Sequence, residues 1–168
     1  MRYKAKTTGT FLVFLVLALL ASTTSAAISV SIQSVEVLPG EETTAEIVAH
    51  NVTNLTQFGI VLDYDPAVVN ATGAVNNPNF PDEFTAGYSL HDFSHASEGY
   101  VLLGSNPITA TPQSGTDVLL TTVTLKAVGS SGTSALGLTI TTLKDDAGDV
   151  SATVSNGTFE IEIGRAHV

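Results

Sequence analysis

Several groupings in this chain have residue types and spacings that could do chemistry. His91 and His95 flank Asp92 in Ser89-Leu90-His91-Asp92-Phe93-Ser94-His95. Two imidazoles four residues apart grip a metal when they share a helical face. This stretch has no helical period and brings no third ligand, so it reads as loop histidines. Asp63-x-Asp65 and Asp145-Asp146-Ala147-Gly148-Asp149 offer carboxylates to a hard cation. Calcium takes about six to eight oxygens, and neither run has the spacing of a calcium loop. Asp and Gly are also what tight turns select, and that reading is preferred. No Gly-x-Ser-x-Gly occurs, and Gly129-Ser130-Ser131-Gly132 reads as a hairpin turn. A carboxylate pair for glycoside cleavage cannot be picked from 16 acidic residues by sequence. The expectation is a binding module with no catalytic residue, no metal site and no cofactor.

The chain has 168 residues and a formal charge of −10. Arg2, Lys4 and Lys6, the apolar run Phe11–Leu20 and the small residues Thr24-Ser25-Ala26 follow the order of a secretory signal peptide. Residues 1–26 are therefore expected to be a leader, with an uncleaved membrane anchor as the alternative. Residues 163–168, Ile-Gly-Arg-Ala-His-Val, match one reading frame of a sequencing-adapter oligonucleotide. They are expected to be foreign, with the natural protein continuing beyond Glu162. The span 27–162 is long enough for one domain with a real core. It holds all the acidic residues but only Lys126 and Lys144, a formal charge of −14. Phosphate neutralisation needs clustered Lys and Arg, so nucleic acid is excluded as a partner. An acidic surface suits solubility, high salt, divalent cations or a basic partner. Without cysteine there is no disulfide, and stability must come from the core. Asn51, Asn54, Asn70 and Asn156 open Asn-x-Thr sequons, which fit an exported protein; chance could supply one or two of them.

The elements that must position these residues read as strands. Ile28-Val30-Ile32 alternates with polar residues. After a Pro39-Gly40 turn, Ala45, Ile47 and Ala49 alternate with Glu46, Val48 and His50. A second strand carries Phe58, Ile60, Leu62 and Tyr64 on one face and Gln57, Gly59, Val61 and Asp63 on the other. Asp65-Pro66 stops it, because proline cannot donate to a ladder. A looser region of short strands and loops is expected from Asn70 to Ser97. Gly99–Gly104 is an apolar strand expected to be buried. Val118–Ala127 and Ser134–Leu143 are longer strands, and Val154 with Gly157–Ile161 closes the set. Seven to nine short strands at this spacing argue for a sandwich of two sheets.

Leu38-Pro39-Gly40-Glu41, the strand closing on Tyr64-Asp65-Pro66, the long strand before Gly129, Gly132 with Leu136 and Leu138, Asp145-Asp146-x-Gly148 and Asn156-Gly157-x-Phe159 together resemble the cohesin domain family. The resemblance covers nearly the whole span 27–162. It implies an all-β, jelly-roll sandwich of about nine strands. It also implies a partner: a dockerin, the small calcium-loaded helical module that a cohesin grips with one flat sheet face. In dockerin-gripping cohesins the strand entering Tyr-Asp-Pro presents an Asn and an Asp outward, two residues apart. Gln57 and Gly59 stand at those positions here. The partner-binding set implied is Gln57, Gly59, Val61 and Asp63, with Tyr88 and Asn106 added.

Two further classes of function stay open. The cohesin sandwich is shared with cellulose-binding modules, so a carbohydrate partner is an alternative. Flat-surface sugar binders stack rings on exposed aromatics. This chain has no Trp, and Phe80, Phe84, Tyr88, Phe93 and Tyr100 are the candidates. A structural or adhesion domain of a larger, secreted or cell-surface protein is the other.

Overall fold

The computed structural model describes residues 26–85, 88–106 and 108–163. Most of the expected leader and residues 164–168 lie outside them. Eleven strands follow in order: β1 Ser29–Ile32, β2 Val35–Val37, β3 Glu42–Asp63, β4 Val69–Asn76, β5 Glu83–Thr85, β6 Tyr88–Ser89, β7 Tyr100–Gly104, β8 Gln113–Ala127, β9 Gly132–Asp145, β10 Thr153–Ser155 and β11 Gly157–Ile161. A 3-10 turn, Ala96–Glu98, precedes β7. β5 and β6 pair only with each other.

Pairing sorts the other nine strands into two layers that share β3. In the first, the order is β10-β1-β3-β8-β4. In the second it is β2-β11-β9-β3-β7. The half of β3 from Glu42 to Val52 lies in the first layer, and the half from Leu55 to Asp63 in the second. The sequence predicts two separate strands here; the chain instead makes one strand that changes layer. Asn51 and Asn54 take left-handed backbone angles (φ 56° and 50°), which Asn tolerates better than most residues. They bend the strand, and the β8 register shifts between Val52 and Leu55.

Alternation then builds the core. Val30, Ala45, Ile47, Ala49, Leu120, Val123 and Leu125 point inward from the first layer, all fully buried. Phe58, Ile60, Leu62, Val101, Leu103, Leu136 and Phe159 meet them from the second. Each Val, Leu, Ile or Phe among them contributes about 1.5–3 kcal/mol when removed from water. Phe80 caps this core edge-on to Phe58, with ring centroids 5.8 Å apart.

Two elements differ from the sequence expectation. Residues 69–76, at the start of the region expected to hold short strands and loops, form an eight-residue strand against β8 that shifts register between Ala71 and Gly73. Their inward residues after Val69 are small, Ala71 above all, so the hydrophobic alternation is faint. β2 was not expected from the sequence; it pairs in the opposite layer from β1, so the chain changes sheet at Gln33-Ser34.

Tyr64-Asp65-Pro66 forms the corner where β3 ends. The Tyr64 hydroxyl donates to Ala96 O (2.9 Å), and its backbone N–H donates to Gly99 O (2.8 Å). Burial pushes the Tyr64 phenol pKa up. Gly99 has φ 95°, and a Cβ there would meet Tyr64 O at 2.5 Å, so only glycine fits this clamp. Asp65 Oδ1 accepts from Ala67 N (2.9 Å), and Asp65 N donates to the buried Ser134 Oγ (2.8 Å).

Candidate binding face

The outer surface of the second layer is built by the central strands β7, β3 and β9. Asp63 stands between Tyr100 and Gly137, Val61 between Leu102 and Thr139, and Gly59 between Gly104 and Thr142. The expected outward set of Gln57, Gly59, Val61 and Asp63 therefore shares one face, opposite the buried Phe58, Ile60 and Leu62. β7 was expected to be buried throughout, but Leu102 is 37% exposed on this face. Asn106 lies elsewhere. It is 2% exposed, and its Oδ1 accepts from Ile108 N (2.9 Å), so its side chain shapes a loop rather than presenting itself to a partner. The side chain of Tyr88 lies outside the described residues.

Gly59 has a definite physical reason. β9 bulges between its pairs with Gly59 and Ile60, which leaves Thr141 as the extra residue. A Cβ at Gly59 would lie 2.8 Å from Thr141 Oγ1 and 3.3 Å from Thr142 Cβ. The carboxylate that the family resemblance leads one to expect at 59 would have to displace Thr141, whose hydroxyl crowds its place. Across the sheet, a Cβ at Gly104 would approach Leu90 O to 3.2 Å. The two facing glycines leave a depression of about 200 Å³ with backbone as its floor. Gln57, Leu90, Leu102, Thr141 and Thr142 form its walls.

The centre of this face, Gly59, Val61 and Thr139, is neutral, and charge flanks it: exposed Asp92 pairs with Leu102 from the free edge of β7. Lys144 pairs with Asp149 at 3.4 Å, and Asp63 is exposed beside the Tyr64 corner. An interface core depleted of charge and rimmed by polar groups is the usual anatomy of a protein–protein contact. Gly104, Leu102, Thr139, Thr141 and Thr142 were not singled out by the sequence. The period-two pattern of β9 could have placed Thr139 outward, but a bulge cannot be read from alternation.

The other chemistry-bearing groups are taken up locally. His91 is buried, and its Nε2 donates to Asn76 Oδ1 (3.0 Å), while His95 stacks on Tyr100 and contacts Glu98 at 3.2 Å. The two histidines thus turn to different partners. Asp145 Oδ1 accepts from Ala147 N and Gly148 N (2.8 and 2.9 Å), closing the acidic run into a turn. Among the described residues, no group of three or more His, Asp or Glu is placed to hold a metal ion. Of the aromatic candidates for sugar stacking, Phe80 is fully buried and Phe93 packs against the core. Tyr100 is half-buried under His95, and the side chain of Phe84 lies outside the described residues. Among the sequons, Asn51 and Asn54 donate their amide nitrogens to Ala27 O and Asp146 Oδ2. Asn70 is half-buried with its Oδ1 3.4 Å from the Tyr64 hydroxyl, and exposed Asn156 accepts from Leu138 N through Oδ1. Among the described residues, no helix is long and apolar enough to cross a membrane.

No family model matches the chain, and no curated protein matches it. Solved structures do. The cohesin CaCohA2 from Clostridium acetobutylicum superposes with a TM-score of 0.67 at 19% identity, covering 83% of this chain and 93% of that one. A non-cellulosomal cohesin from the archaeon Archaeoglobus fulgidus gives 0.64 at 21%, covering 83% and 94%. A chain of a type I cohesin–dockerin complex from Clostridium thermocellum gives 0.64 at 14%, covering 81% and 99%. At these identities the likeness is one of fold, and it spans those domains almost end to end: this chain has the cohesin fold.

Proposed function

We propose that this chain is a non-catalytic protein-binding module that grips a dockerin-type partner with the outer face of β7, β3 and β9. The observation that carries the reading is the combination of a cohesin sandwich with an outer face whose centre is neutral and whose margins carry Asp63 and Asp92. Leu102 and Val61 stand on that face beside a depression floored by Gly59 and Gly104. The neighbours include cohesins solved in complex with dockerins, among them CaCohA2 with its own. The grip proposed here differs in chemistry from an Asn–Asp pair. Gln57, Thr141 and Thr142 supply neutral hydrogen-bonding groups, and the depression takes a small apolar side chain from the partner. Phe80 is buried, Phe93 packs against the core, and Tyr100, on the same side of β7 as Leu102, has one ring face covered by His95, which disfavours the sugar-binding alternative. A secreted or surface-attached setting is part of the same proposal, supported by the leader-like start and the sequons.

Titration calorimetry of the purified chain against dockerin modules from the same genome tests this. Binding of at least one with a Kd in the micromolar range or tighter, about −8 kcal/mol, is expected. Uniform absence of binding, with retention on insoluble polysaccharide, would reject it.

A further inference from the structure

The opposite face of the sandwich carries a side-chain relay that partner binding leaves unused. His50 of β3 stands directly across from Asp117 of β8. Ser31 lies on β1, whose neighbouring residue Ser29 pairs with His50. The imidazole reaches both: Nδ1 is 2.6 Å from Asp117 Oδ1, and Nε2 is 2.7 Å from Ser31 Oγ. A carboxylate can only accept, so Nδ1 carries the proton. In the neutral ring the Nε2 lone pair then accepts from the Ser31 hydroxyl. An acid-held histidine with its free nitrogen on a serine is the arrangement that activates a hydroxyl as a nucleophile. Polar pairing across a wet sheet face accounts for the His50–Asp117 contact alone. The serine on the third strand adds a proton for the base to take. The site is open to reagents, since the His50 side chain is 29% exposed and that of Asp117 is 71% exposed.

We propose that Ser31 is a base-activated nucleophile and covalent modification site for acyl or phosphonyl donors that carry a good leaving group. His50 is its general base, and Asp117 positions His50. Ser31 Oγ forms a bond to the carbonyl carbon or phosphorus while its proton passes to His50 Nε2. The bond to the leaving group breaks, and that group departs with the electron pair. The imidazolium then returns the proton to it or to solvent. Ser31 sits mid-sheet, between Val48 of β3 and Ser155 of β10. This is a ladder position, not a turn or helix N-terminus where backbone donors converge on a tetrahedral oxyanion, the feature on which turnover depends. The product is one modified serine per chain, not a catalytic cycle, which is compatible with a binding module.

Incubation of the purified chain with a fluorophosphonate, followed by intact-protein and peptide mass spectrometry, tests this. The expected result is a single adduct that has lost fluoride and maps to Ser31. Ser31→Ala abolishes it, and His50→Gln slows it about 100-fold, the scale of a lost general base. Asp117→Asn slows it about tenfold, because solvent shares that exposed carboxylate's role, and Asp117→Glu restores part of the rate. Ser151→Ala, on an exposed loop, leaves it unchanged. No adduct on the unaltered chain, an adduct at another residue, or His50→Gln labelled at the original rate would overturn the proposal.

Discussion

Asn76 donates both amide hydrogens to main-chain carbonyls, Phe80 O and Gly104 O, each at 2.9 Å. Its Oδ1 is left to accept, which fixes the proton of His91 on Nε2. Nδ1 then faces Asp82 at 3.6 Å from a ring that is 4% exposed. Burial lowers the His91 pKa, and the Asp82 charge offsets this only in part. The unfolded chain, with its histidine near the ordinary value of about 6.5, therefore binds more protons in the window between the two pKa values. Stability from this group is complete above that value and is lost as pH falls through the folded pKa. Urea midpoints measured from about pH 7.5 down to about pH 5, above the main carboxylate range, should decline for the unaltered chain and decline less for His91→Gln. Equal slopes would contradict the argument. The spacing of His91 and His95 is visible in the sequence. Their partners are not, because Asn76 arrives from β4 and its orientation depends on the β4–β8 ladder.

At the scale of elements, the bulge in β9 decides what β3 can present. Inserting a methyl group at Gly59 forces Thr141 or the strand to move, which costs about 1–3 kcal/mol for overpacking. Gly59→Ala is expected to lower stability by that amount in denaturant titration. Thr141→Ala in the same chain should recover most of the loss, since it removes the atom 2.8 Å away. Additive effects would show that the crowding is not what selects glycine. The inward faces of β3 and β9 were legible because Phe58, Ile60, Leu62, Leu136 and Leu138 repeat with period two. The joining of residues 42–63 into one strand was not. It rests on two Asn residues in left-handed conformations, where turn chemistry and a strand bend look alike in sequence. β4 was hidden by its small inward residues, and the exposure of Leu102 by an apolar run that alternation cannot resolve. The Ser31–His50–Asp117 relay escaped for a related reason: three strands distant in sequence supply it, and only their register brings the side chains together.

At the scale of the whole molecule, β3 gives the sandwich two outer faces of different character. The first layer turns Ser31, Val48 and His50 outward, and the second turns Gln57, Val61 and Asp63 outward, with Leu102 beside them. The formal charge of −10 keeps the whole acidic, and on the second face Asp63 and Asp92 flank the neutral Gly59, Val61 and Leu102. A partner that docks there needs apolar complementarity at the centre and basic groups toward Asp63 and Asp92, and its affinity should fall as salt screens those contacts. The most direct measurement compares the affinity of the best-binding dockerin for the unaltered chain, for Leu102→Asp on the second face and for Val48→Asp on the first. The expected result is a loss of at least tenfold, about 1.4 kcal/mol or more, for Leu102→Asp, and an unchanged Kd for Val48→Asp. Equal affinity for all three chains, or a loss confined to Val48→Asp, would contradict the assignment of the binding face.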